Sequence, residues 1–159
     1  MNIKIFCVGK VKETYIQDAI KEYTKRISKY AEISICEVAD EMIPANPSEK
    51  DLKNIKKLEA DKILKQIKTS DFVIALDLRG KELSSEEFAE KLQSITVNGF
   101  STICFLIGGT VGLDKSLLDR SNFQLSFSKL TFPHQLIRLF LTEQIFRCFK
   151  IINNEKYHW

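Results

Sequence analysis

The sequence predicts an α/β fold, a mostly parallel sheet with helices on both faces, and three observations predict it. Short β-prone apolar runs alternate with stretches of helical spacing along the whole chain. Two of those runs, Phe72–Leu78 and Thr102–Ile107, are almost continuously apolar, as strands covered on both faces are. The 159 residues, 44% hydrophobic and 28% charged, suit one domain spanning 1–159. A chain of that size buries roughly 68–70% of its unfolded surface.

Asn2–Val8 reads as the first strand. From Lys12 to about Ser28, Tyr15, Ile16, Ala19, Ile20, Tyr23 and Ile27 recur at helical spacing. Ile33–Val38 alternates as a strand, and Asp40–Pro47, with Pro44 and Pro47, is a loop. Ser48 caps a lysine-rich helix carrying Leu52, Ile55, Leu58, Ile63, Leu64 and Ile67. Phe72–Leu78 follows as a strand broken only by Asp77, and Arg79-Gly80 is expected to turn it. Ser84-x-x-Glu87 is a capping box opening a helix that stops at Asn98-Gly99. After Thr102–Ile107 come Gly108-Gly109-x-x-Gly112, a short helix over Asp114–Arg120 and a last strand, Phe123–Phe127. Pro133, expected at the first helical position, opens a long helix to about Asn153.

Several classes are excluded early. No apolar run reaches the roughly 18 residues of a membrane span. MNIKIFCVGK lacks the long apolar part and cleavage site of a signal peptide, so a cytoplasmic protein is expected. Cys7, Cys36, Cys104 and Cys148 are dispersed in apolar segments, and the histidines are His134 and His158 alone, so no metal site is expected. The net charge of +3 is uneven: residues 1–30 carry +4, residues 31–128 carry −4 and residues 129–159 carry +3. If the two ends meet they make one basic face, which suits a polyanion such as RNA.

Ligands of open α/β sheets bind beyond the carboxyl ends of the strands. Three such ends stand out, at Leu76–Gly80, Ile107–Gly112 and Ser126–Phe132. Three of the six glycines fall within Gly108–Gly112, letting backbone approach a ligand. The pattern is not G-x-G-x-x-G, and no Walker A sequence occurs, which disfavours dinucleotide enzymes and P-loop NTPases. The last helix is apolar all round, and at the end of a chain this size a second subunit is the simplest cover for it, so a homodimer is expected. His134, Arg138 and Thr142 nevertheless form one stripe. That stripe reads either as a first-turn histidine plus an arginine paired with an acid, or as one edge of a pocket. The tail, Glu155-Lys156-Tyr157-His158-Trp159, is either frayed or folds over a site to stack on a base.

IKIFCVGK at 3–10, LIGGTVGL at 106–113, LSFSKLTFPHQLIR at 125–138 and Tyr157-His158 together resemble the RlmH family along the length of the chain. These are SPOUT-class, S-adenosyl-L-methionine-dependent methyltransferases of ribosomal RNA. The resemblance implies a C-terminal deep trefoil knot, an exception to the rule that chains do not thread. It implies a homodimer packed through the knot. It implies methylation of N3 of pseudouridine 1915 in 23S RNA within the assembled 70S ribosome, with neither membrane nor metal. The family's cofactor positions fall on Leu76, Gly108, Phe127, Ser128, Lys129, Leu130, Thr131 and Phe132. Removal of the N3 proton, or stabilisation of the ring anion, is open to His134 and Arg138 and to Tyr157 and His158 from the partner's tail. Family members usually carry a basic residue after the Tyr-His pair, where this chain has Trp159, so stacking replaces a phosphate contact in the expectation. The alternative is a non-catalytic nucleotide- or ribosome-binding α/β dimer.

Overall fold

The computed structural model describes residues 1–157. Five strands and five helices alternate: β1 (Asn2–Val8), α1 (Thr14–Ile27), β2 (Glu32–Val38), α2 (Glu49–Leu64), β3 (Phe72–Glu82), α3 (Ser85–Val97), β4 (Thr102–Ile107), α4 (Lys115–Arg120), β5 (Phe123–Ser126) and α5 (His134–Ile152). The sheet runs β2-β1-β4-β3-β5 with every pair parallel. Alternating side chains divide the core. Ile3, Ile5, Ile74, Ile103 and Phe105 pack under α1, α3 and α5, while Phe6, Val73, Ala75 and Leu106 pack under α2 and α4. Both capping boxes form, at Ser48 with Asp51 and at Ser84 with Glu87, fixing where α2 and α3 begin.

Three expectations change. Arg79-Gly80 does not end β3, because Leu76 and Lys81 both face Leu125 across a bulge, so Asp77–Gly80 bow out and the strand resumes to Glu82. A side chain at position 80 would meet the backbone of Gln124 and Leu125 at 2.7 Å, which requires glycine there. Pro133 stands one residue earlier than expected, as the N-cap of α5. And α5 is central within its own chain, lying on the sheet between α1 and α3 with Leu141, Ile145, Cys148 and Phe149 buried. A second subunit is therefore not needed to explain the apolar character of α5. On that helix only Phe140 is exposed. Bonds flanking the packed α1 and α5 also join the two basic ends of the chain, Lys12 N–H to Gln135 Oε1 at 3.2 Å and Tyr30 Oη–H to Glu155 Oε2 at 2.8 Å.

Arg138 locks α5 to the sheet. It is 1% exposed, and its Nη2 donates to the carbonyls of Val8 at 2.8 Å and Gly9 at 2.9 Å, where β1 ends. Nη1 lies 4.0 Å from the Glu37 carboxylate, the acid pairing that was one of the two sequence readings. Replacing Arg138 with Ala strands the buried Val8 carbonyl and frees the part-buried Gly9 carbonyl, and an unmet buried acceptor costs about 1–3 kcal/mol. Arg138→Ala is expected to lower stability by about 2–4 kcal/mol, read as a lower urea midpoint at unchanged slope.

Candidate active site

The carboxyl ends of β4, β3 and β5 are neighbours in the sheet, so the loops that follow them converge. Between them lies a cleft of about 420 Å³. Its walls come from Leu76–Arg79 in the β3 bulge, from Ile107, Gly108, Gly109, Gly112 and Leu113 after β4, from Leu125–Ser128 and Leu130–Phe132 after β5, and from His134 and Ile137 of α5. The aliphatic members make an apolar lining. The glycines leave main-chain groups uncovered along one side.

Each loop is held by local bonds. After β4, Gly112 has φ +80°, a left-handed conformation natural to glycine, and its N–H donates to the Gly109 carbonyl at 3.0 Å. A Cβ on Gly108 would stand 2.7 Å from the Gly112 carbonyl carbon, and one on Gly109 would stand 3.0 Å from Val8 Cγ1. The turn thus closes on itself and against β1. After β5, Ser126 Oγ–H donates to the Ser128 carbonyl at 3.0 Å, and Ser128 Oγ accepts from Leu130 N–H at 3.0 Å, a hydroxyl-closed turn. This is why a connector following a core strand is rich in serine.

Three titratable side chains line the cleft, Asp77, Arg79 and His134. Burial pushes the Asp77 carboxyl up, but the Arg79 side chain at 3.1 Å and its backbone N–H at 2.9 Å outweigh that and hold it below the usual carboxylate range. Asp77 is therefore an anion at neutral pH. His134 is half-buried, and its pKa is lowered first by that burial and then by the Arg138 charge, against a smaller upward pull from Asp40. Its imidazole is neutral at pH 7 and able to accept a proton.

Of the positions singled out in the sequence, Leu76, Gly108, Phe127, Ser128, Leu130, Thr131, Phe132 and His134 line this cleft. Lys129 and Arg138 do not. Lys129 belongs to the same loop but is not part of the wall, and the Arg138 guanidinium is spent on β1. Tyr157 packs at the far part of α5, its ring 4.9 Å from Phe146 edge-on and its Oη donating to Glu143 Oε1 at 3.0 Å. His158 and Trp159 lie outside the described residues. Sequence reasoning missed Asp77 as a site residue, although a lone carboxylate in an apolar strand was a visible signal. It also missed the neighbouring cavity of about 580 Å³ between α3 and α5, lined by Ser84, Ser85, Phe140, Glu143 and Gln144 and sharing Leu125, Phe127 and Phe132 with the cleft. Among the described residues no group of three or more His, Cys, Asp or Glu side chains is placed to hold a metal.

The comparisons agree with this architecture. A family model described as "Predicted SPOUT methyltransferase" matches residues 1–158. The ribosomal RNA large subunit methyltransferase H of Clostridium botulinum (strain Hall) is 52% identical over 158 residues, covering 99% of both chains. That of Clostridium beijerinckii is also 52% identical with the same coverage. A solved structure titled as a "probable methylase family protein" from Haemophilus influenzae Rd KW20 superposes with a TM-score of 0.56 at 16% identity, over 99% of this chain and 70% of that one, a likeness of fold. A parallel sheet whose strand-end loops form one glycine-walled cleft, matched along its length by such relatives, places this chain in the SPOUT methyltransferase family.

Proposed function

We propose that this chain methylates 23S ribosomal RNA from S-adenosyl-L-methionine, at N3 of pseudouridine 1915 within the 70S ribosome, in the cytoplasm and as a homodimer. Its relatives carry the name ribosomal RNA large subunit methyltransferase H, and the observation that carries the reading is the cleft. About 420 Å³ is in the range of small-molecule sites. Leu76, Ile107, Leu113, Leu125 and Ile137 offer apolar faces to an adenine ring, and the 108–112 turn offers backbone donors and acceptors. The Asp77 carboxylate suits a cationic ligand. When bound, the cofactor supplies a methyl group on a sulfonium, open to in-line displacement. The threaded C-terminal knot belongs to the same proposal.

The protein's own contribution is alignment and one proton. Among the described candidates for proton removal, His134, Arg138 and Tyr157, His134 is the one on the cleft wall, neutral, and beside Phe132-Pro133 where α5 starts. It takes the N3 proton as the methyl arrives. Phe132 and Phe140, edge to face at 5.5 Å and 37% and 39% exposed, make an aromatic lip for a base or a partner surface. Tyr157 sits beside Glu143, nine residues beyond His134 and about 14 Å along the helix at 1.5 Å per residue. A tail anchored there serves the cleft of a second copy more readily than its own.

Labelled methyl transfer to 70S ribosomes from cells lacking this modification, compared with free 23S RNA, tests the function. Incorporation at one pseudouridine is expected, and no incorporation on either substrate refutes it. His134→Ala is expected to lower the rate about 10²–10⁴-fold, the usual worth of a general base. Because the His134 pKa is lowered, the acid limb of the wild-type rate should have its midpoint below the ordinary histidine value of 6.5. An acid limb above 6.5 assigns the proton to another group.

Tail donation across the dimer has its own test. His134→Ala and a chain cut before Tyr157 are each expected to be nearly inactive. Mixed and re-equilibrated, they should recover roughly one quarter of wild-type activity, since half the dimers then hold one intact site. Recovery of nothing shows that each tail serves its own protomer.

A further inference from the structure

Glu59 lies on the far side of the glycine turn from the cleft. It is 4% exposed, on the face of α2 that also buries Ile55, Ala60 and Ile63. Its Oε1 accepts the Glu41 N–H at 3.2 Å, and its Oε2 is buried with no hydrogen-bond partner. That bare oxygen would be 3.8 Å from a Cβ on Gly109. Gly109 is thus a shared wall, with the cleft before it and the Glu59 carboxyl behind it. A fully buried carboxyl oxygen without a partner costs about 1–3 kcal/mol or more, so it persists where something in the working cycle uses it.

We propose that Glu59 is a positioning residue for the methyl-donor turn: as a neutral carboxylic acid, it donates from Oε2 to a main-chain carbonyl of Gly108–Gly112 when the cofactor is bound, and so aims the turn's other groups into the cleft. This rests on the cleft holding S-adenosylmethionine. The surroundings shift the carboxyl toward the protonated form. Burial is the largest influence raising the Glu59 pKa, and Asp40 and Glu41 add to it. The Glu41 N–H and Lys62 oppose it, but the Lys62 ammonium is engaged at 2.5 Å by Glu41 and at 2.9 Å by the Ala39 carbonyl. These groups come from α2 and the 39–41 segment. The residues of the 108–112 turn, Gly-Gly-Thr-Val-Gly, bring no charge of their own. In this state the two oxygens divide their work: Oε1 accepts from the 41 backbone and Oε2 carries the proton toward the turn. Ionised, Oε2 would face a carbonyl dipole with a negative charge, and the turn would be pushed toward the cleft.

The test is calorimetric affinity for S-adenosylmethionine from pH 6 to 9 in wild type, Glu59→Gln and Glu59→Ala, with thermal melts confirming folding. Glutamine keeps a donor at that position and cannot ionise. The wild type should weaken about tenfold more than Glu59→Gln as pH rises, titration of the ligand itself being common to both. At pH 6 the two should agree within about twofold, while Glu59→Ala binds about tenfold more weakly and loses amide-exchange protection across 108–112 in the bound state. Identical pH curves for wild type and Glu59→Gln overturn the proposal, and so does a Glu59→Gln chain that is weaker at every pH, which would mean an ionised carboxylate is needed. If Glu59→Ala does not fold, the comparison of wild type with Glu59→Gln decides alone. A wild type that binds no S-adenosylmethionine at any pH refutes instead the reading of the cleft on which the proposal stands.

Discussion

The arrangement of the cleft depends on one buried cation. Arg138 sits in the second turn of α5 and donates to the last carbonyls of β1, on the side of the sheet away from β3 and β5. A guanidinium taken out of water is expensive, and here Nε and Nη1 have no hydrogen-bond partner among the described residues. The two bonds from Nη2 and the ion pair to Glu37 are what hold it in place. In return, the start of α5 has one seating relative to the sheet. His134, one helical turn earlier, then lies on the same flank of the helix and is delivered to the cleft wall. Phe132-Pro133 follows from the same seating, because the connector from β5 must reach a fixed point, and proline's restricted φ suits the entry.

The other walls follow from strand order. With β4, β3 and β5 adjacent and parallel, their carboxyl ends share one edge, and each contributes a different device. The β3 bulge turns Asp77 and Arg79 outward without ending the strand. The glycine turn supplies uncovered main chain, and the serine-closed connector after β5 supplies a shaped apolar lip. A core strand that ends in hydroxyls and is followed by Pro-His is thus a loop that must bend sharply, stay ordered and hand over to a helix.

Much of this was legible in the sequence because periodicity and punctuation are local. Element order, both capping serines and the three strand-end loops follow from apolar spacing and from Gly, Pro and Ser positions. What was not legible depended on tertiary partners. The i, i+4 relation put Arg138 on the His134 stripe, but spacing cannot say that a long side chain will bend under the helix to β1 rather than forward to the cleft. The Arg79-Gly80 pair reads as a turn, and only the register against Leu125 makes it a bulge. The all-round apolar character of α5 suggested a partner chain, whereas α1 and α3 of the same chain take two of its sides. In α2, Leu58, one of the apolar residues of the helix, is 51% exposed, while Glu59, four residues from both Ile55 and Ile63, takes the inward phase. A glutamate on an apolar stripe was the available signal.

The electrostatics also bound how the chemistry is divided. His134 lies between a buried cation at Arg138 and an anion at Asp40, and the cation, with burial, prevails. A stronger base there would be protonated at neutral pH and useless. In the proposed role, His134 is a free but weak base, and on accepting a proton it becomes a second positive charge near Arg138. Proton transfer at such a site supplies only part of a rate enhancement. The larger part must then come from holding donor and acceptor in line, since fixed geometry replaces entropy that a solution encounter would lose. That puts the demand on the stiffness of the three loops. The features that stiffen them — the Gly80 contact with β5, the self-closed 108–112 turn, the Ser126–Leu130 bonds and the Arg138 lock — are spread over the sheet edge, and none of them involves the His134 side chain.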